Sequence, residues 1–197
     1  MCFLDELPCP TPMTSSDRLV SHANRNVDAH AGRWRSAACT TAADLKGKVV
    51  AIHAFQMLCP GCVAHGLPLA THMQQAFSPD DLVVLGSHSV FEHHEVMQPR
   101  AALAAFIHEY RLSFPIGIDK PDPHGGGIPL TMRALALRGT PSLVLLDKQA
   151  HIRAHQFGRN EDLRVGALIG QLIAEPAEVG CREEGCRAPM QRHGTSR

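Results

Sequence analysis

The clearest pattern in the chain is an apolar run, Val49 to Phe55, broken only by His53. A short continuous run of this kind predicts a central strand covered on both faces. Downstream, Val63, Leu67, Ala70, Met73 and Phe77 recur at spacings of three and four, which predicts a helix that Pro60 opens. "DLVVLGSH" predicts a second strand, and Arg100 to Tyr110 a helix with Leu103, Phe106, Ile107 and Tyr110 on one face. "FPIGID" reads as a short strand and "IPLTMRALAL" as a helix opened by Pro129. A hairpin follows, with arms at Leu143–Leu146 and His151–Phe157 and a turn at Asp147–Ala150. Asn160 is placed to cap a last helix, whose buried face is Val165, Leu168, Ile169 and Leu172.

The resulting order is β-α-β-α-β-α-β-β-α. Strands joined through helices are expected to be parallel and the late hairpin antiparallel. The expected fold class is therefore α/β, a three-layer α/β/α sandwich with a central mixed sheet. Residues 1–33 are polar and aperiodic, 34–175 form the domain, and 176–197 read as a flexible tail containing Cys181 and Cys186.

Composition narrows the function. Lys plus Arg and Asp plus Glu both total 19, so nothing implies a nucleic-acid or anionic-membrane partner. The first thirty residues lack the apolar segment of a signal peptide, and no stretch reads as a membrane span. The expected compartment is the cytoplasm, where structural disulfides are disfavoured. The odd count of seven cysteines also argues against a full disulfide framework.

The candidate chemistry lies in "FQMLCPGCVAHGLP". Cys59 ends the first strand, and Cys62 falls in the first turn of the next helix. Unpaired N–H groups and the positive end of the helix dipole favour thiolate there. Cys59 is thus the natural nucleophile, and Cys62 is placed to resolve a mixed disulfide. Pro60 and Gly61, between them, tune thiolate stability.

With "LKGKVVAIHAF" before "CPGC" and "RGTPSLVLLDKQAHI" downstream, residues 34–175 resemble the thioredoxin-fold proteins of the broad redoxin class. They are most similar to thiol–disulfide reductases of the cytochrome c maturation type. The resemblance implies a thioredoxin-like sandwich and a cis peptide bond at Thr140–Pro141. It also implies that the Thr140 backbone lies beside the cysteine pair, open to an extended substrate segment. Implied partners are a protein or small-molecule disulfide and a reducing system such as thioredoxin reductase or glutathione, with no cofactor.

Two positions depart from the family. His53 stands six residues before Cys59, where thioredoxins carry a buried acid. It either relays the Cys62 proton or is a buried neutral histidine bonded to backbone. Pro68 comes one residue later than the family's helix-kinking proline, so the kink shifts or a local bulge absorbs the extra residue.

Competing chemistries fare less well. Peroxiredoxins need Thr three residues before the reactive cysteine and Pro further back, where this chain has Gln56 and Ile52. A copper carrier of this fold is disfavoured by CxxC in place of CxxxC. His88, His93 and His94 are expected to line the active-site rim as a solvated or substrate-contacting loop rather than a metal site. "DPHGGGIP" lacks the lysine of a phosphate-binding loop. Cys181 and Cys186 form a candidate second redox pair, though two exposed thiols is the favoured reading; Cys2, Cys9 and Cys39 have no evident role.

Overall fold

The computed structural model describes residues 42–177. Trp34, Cys2, Cys9, Cys39, Cys181, Cys186 and the terminal segments 1–33 and 178–197 lie outside the described residues.

The elements in chain order are α1 (Ala42–Leu45), β1 (Val49–Phe55), a helical turn (Cys62–Gly66) leading into α2 (Leu67–Ala76), and β2 (Leu82–His88). They continue with α3 (His94–Met97), α4 (Arg100–Glu109), β3 (Ile116–Ile118), α5 (Leu130–Ala134), β4 (Ser142–Leu146), β5 (Ile152–Phe157) and α6 (Asp162–Ala174). The five strands form one sheet in the order β3-β2-β1-β4-β5. β1 pairs parallel with β2 and antiparallel with β4, β2 pairs parallel with β3, and β4 pairs antiparallel with β5.

β1 sits at the centre because every residue in it is buried. Its alternate side chains feed two cores. Val49, Ala51 and Phe55 pack with Leu67, Ala70 and Met73 of α2, Leu103 of α4, and Val165, Ile169 and Leu172 of α6. Val50, Ile52 and Ala54 pack on the opposite face with Leu45, Met132, Leu135 and Leu137. The sheet therefore lies between two helical layers, and the apolar run serves both.

Three local expectations need correction. The last helix is not capped by Asn160: Glu161 is the N-cap residue, and Asn160 Nδ2 donates instead to Gly158 O at 3.1 Å. The segment opened by Pro129 is helical only to Ala134, because Ala136 turns to a φ of 50°. The helix after the cysteines does not keep a four-residue spacing at its start. Cys62–Gly66 form one turn of π-helix, in which the Leu67 N–H donates to Cys62 O. Cys62, Gly66 and Leu67 thus face the core, and Val63 is only half-buried. This turn takes up the extra residue that displaces Pro68; single π turns commonly accommodate such an insertion.

The far end of the sheet is tied to the chain's exit. Lys148 Nζ donates to Ile173 O at 2.6 Å and to Glu175 O at 2.8 Å. Gln149 Nε2 donates to Pro176 O at 3.2 Å and to Ala177 O at 2.6 Å. Arg153 adds a two-pronged pair with Glu175, at 2.5 and 3.0 Å.

Candidate active site

The C-terminal ends of β1 and β2, the start of β4 and the end of β5 meet at one edge of the sheet. Cys59 and Cys62 are joined there as a disulfide, with Cα atoms 5.2 Å apart. Cys59 is half-buried and Cys62 fully buried, so solvent and substrate reach only the first sulfur. The Cys62 N–H points at Cys59 Sγ across 3.2 Å. When the pair is reduced, that N–H stabilises a thiolate on Cys59.

The loop before β4 closes over the pair. Thr140–Pro141 is a cis peptide bond. Thr140 O lies 3.5 Å from Cys59 Sγ, where a thiol at Cys59 donates to it. Pro141 O accepts from the Gly158 N–H at 2.8 Å, which fastens this loop to the end of β5. Pro60 and Gly61 form the first residues of the helix, and a Cβ on Gly61 would sit 3.3 Å from Pro141 Cδ.

Beneath this lies His53, only 2% exposed, with no hydrogen-bond partner at Nε2. A Cβ at Gly66 would stand 2.6 Å from His53 Nε2 and 3.1 Å from Pro141 Cβ. Glycine at 66 is therefore what lets the π turn, the imidazole and the proline pack together. Burial drives the His53 pKa down to about 4, so the ring is neutral near pH 7.

His88 is not on the rim. β2 continues through it, opposite Phe55, and its side chain is 1% exposed against the Phe55 ring, with centroids 5.3 Å apart. Its Nε2 also lacks a partner, and burial lowers its pKa to about 4. His93 is exposed at the N-cap of α3, with a φ of 49°, and His94 is half-buried. Among the described residues, no group of three or more His, Cys, Asp or Glu side chains could hold a metal ion.

Two polar residues gain roles that local sequence did not reveal. Gln56 is buried; its carbonyl holds the Cys59 N–H at 3.2 Å. Its side-chain oxygen takes N–H bonds from Phe91 at 3.2 Å and Glu92 at 3.4 Å. Gln56 thus joins the cysteine loop to the loop after β2. Asp119, buried just after β3, accepts from Ser89 Oγ at 3.0 Å and from the N–H groups of Thr131 and Met132 at 2.8 and 3.0 Å. It anchors the start of α5, which leads into the cis-proline loop. The available signal was a lone polar residue closing an apolar run in each case.

Neither a protein-family model nor a curated protein matches the chain. Solved structures do. A thioredoxin-like superfamily protein is 54% identical, with a TM-score of 0.66 over 69% of this chain and 86% of that one. The chain belongs to the thioredoxin-like superfamily. A thiol-disulfide isomerase from Corynebacterium glutamicum is 46% identical, with a TM-score of 0.66 over 68% of this chain and 86% of that one. The exposed lipoprotein thioredoxin Etrx1 of Streptococcus pneumoniae shares the fold at 23% identity and a TM-score of 0.51, over 66% of this chain and 88% of that one. This thioredoxin-like chain thus has a thiol–disulfide oxidoreductase fold with a cysteine pair at disulfide distance.

Proposed function

We propose that the protein is a thiol–disulfide oxidoreductase that reduces protein disulfides by cycling Cys59–Cys62 between dithiol and disulfide. The observation that carries this reading is the asymmetry of the pair. Cys59 is accessible, receives the Cys62 N–H and lies beside Thr140 O, whereas Cys62 is buried.

In the reductive direction, the Cys59 thiolate attacks one sulfur of the substrate disulfide. A mixed disulfide forms, and the other substrate sulfur leaves as thiolate. Cys62 then loses its proton and attacks Cys59 Sγ. The Cys59–substrate bond breaks, the second substrate thiolate leaves, and the Cys59–Cys62 disulfide remains. Two electrons have passed to the substrate. The Cys62 proton passes to the departing substrate thiolate, which leaves as the thiol. His53, packed under the turn that Cys62 begins, stays neutral throughout, because burial lowers its pKa to about 4. A reducing system of the thioredoxin reductase or glutathione type restores the dithiol, and a reducing compartment such as the cytoplasm sets the direction.

Peroxidase chemistry of the peroxiredoxin type has less support. The Gln56 side chain, where that family places its threonine, is bound to the Phe91 and Glu92 N–H groups.

Insulin reduction with Cys59→Ser and Cys62→Ser variants tests the proposal. Both are expected to lose turnover, and Cys62→Ser alone is expected to accumulate a substrate adduct at Cys59, read by mass spectrometry. Turnover by either variant at the wild-type rate refutes the mechanism.

A further inference from the structure

We propose that Arg138 selects protein disulfides with an Asp or Glu beside the reactive cysteine, an inference that rests on the thiol–disulfide reading above. Arg138 is exposed and stands two residues before Thr140, the residue whose carbonyl meets Cys59 Sγ. Its guanidinium is held in place, with Cζ 5.7 Å from the centroid of the Phe157 ring. That ring in turn lies over Gly139, where a Cβ would come 2.9 Å from Phe157 Cε2. Ser142 Oγ donates to Gly139 O at 2.7 Å, and Gly158 N–H donates to Pro141 O at 2.8 Å. Arg138, Gly139, Pro141 and Phe157 are thus one braced unit at the mouth of the site.

The guanidinium of Arg138 lies over an aromatic ring, whereas two other arginines are paired with carboxylates. Arg133 is paired with Asp122, and Arg153 with Asp147 and Glu175. Among the described residues, no carboxylate lies in ion-pair range of Arg138. The surrounding charges favour an anion. Among the described residues, Arg159, just past Gly158, is also exposed and in no ion pair with a carboxylate. Glu161 and Asp162 at the start of α6, and Glu92 and Glu95 around the start of α3, are the acidic groups of the neighbouring segments; none pairs with Arg138, and Asp162 pairs with His72. An arginine fixed by an aromatic face presents its donors in the fork that fits a carboxylate. A substrate strand lying along Thr140 brings its own flanking residues to that fork, while half-exposed Phe157 and Leu58, at 51% and 55%, give it apolar footing.

The experiment measures kcat/KM for three peptide disulfides that differ only in the residue beside the reactive cysteine: Asp, Asn or Lys. For the wild-type protein at low salt, the Asp peptide is expected to exceed the Lys peptide by about three- to tenfold, mainly through KM. The preference is expected to shrink in 0.5 M salt as the exposed pair is screened. In Arg138→Gln the Asp-over-Lys preference disappears, and in Arg138→Glu it inverts, each ratio being read against the same variant's own turnover of the Asn peptide, which reports an intact fold and cysteine pair. Equal rates for the three peptides with wild-type protein, or an unchanged ratio in Arg138→Gln, overturn the proposal. Failure of wild type to reduce even the Asn peptide removes the thiol–disulfide reading itself, and this inference with it.

Discussion

Acidification is expected to weaken this protein before its carboxylates titrate, because of His53 and His88. Both have a pKa of about 4 in the folded state against 6.5 for the unperturbed group. The unfolded chain therefore takes up protons that the folded state refuses. The stabilising effect is complete above pH 6.5 and is lost as the pH falls towards 4. At pH 5.5 each histidine has cost about 1.4 kcal/mol and the two together about 3 kcal/mol. Near pH 4.5 the pair costs about 5 kcal/mol, comparable with the whole stability of a marginal domain. Carboxylates add to this only in more acid solution. Asp122, under the His124 N–H and the Arg133 guanidinium, and Glu175, under Arg153, are held below their usual range. Urea unfolding of the oxidised protein, followed by far-UV circular dichroism from pH 8 to pH 5, measures the effect. Asn at either histidine is expected to remove about half of the slope between pH 6.5 and 5. A stability that stays level over that interval, or a slope that neither His53→Asn nor His88→Asn reduces, refutes the assignment of two buried neutral imidazoles.

Gly66→Ala is expected to destabilise the oxidised protein by about 1–3 kcal/mol despite alanine's better helix propensity, because the new methyl runs into His53 and Pro141. Thermal denaturation checks this; a rise in Tm refutes the packing described here. Asp119→Ala strands the Thr131 and Met132 N–H groups and the Ser89 hydroxyl, and is expected to cost about 2–4 kcal/mol. Asp119→Asn, which keeps acceptor oxygen, is expected to lose less in the same denaturant titration.

Much of this was legible in the chain. The run Val49–Phe55 could only be a strand buried on both faces, and two core layers use its two sides. The succession of strands and helices and the antiparallel hairpin followed from where apolar runs stood relative to helical periods. The π turn was not legible, because Val63 and Leu67 supply a passable four-residue spacing of their own. Only the displaced Pro68 signalled an inserted residue. His88 was misread as a rim residue because polar residues follow it; pairing with Phe55 extends β2 through it and buries it. Gln56 and Asp119 look like ordinary punctuation in sequence. Their partners, at Phe91–Glu92 and at Ser89, Thr131 and Met132, come from other segments, and only the folded sheet brings them together.

The bonds from Gln149 to the Pro176 and Ala177 carbonyls act as a mooring point at the foot of the β4–β5 hairpin. The β4–β5 turn is at the end of the sheet remote from Cys59, since Leu146 lies opposite Val50 while Ser142 lies opposite Ala54. From Leu146 to Thr140 the extended chain covers about 20 Å. A label or tether attached at Ala177 therefore sits at the end of the sheet away from the cysteine pair and leaves the edge where substrate meets Cys59 open.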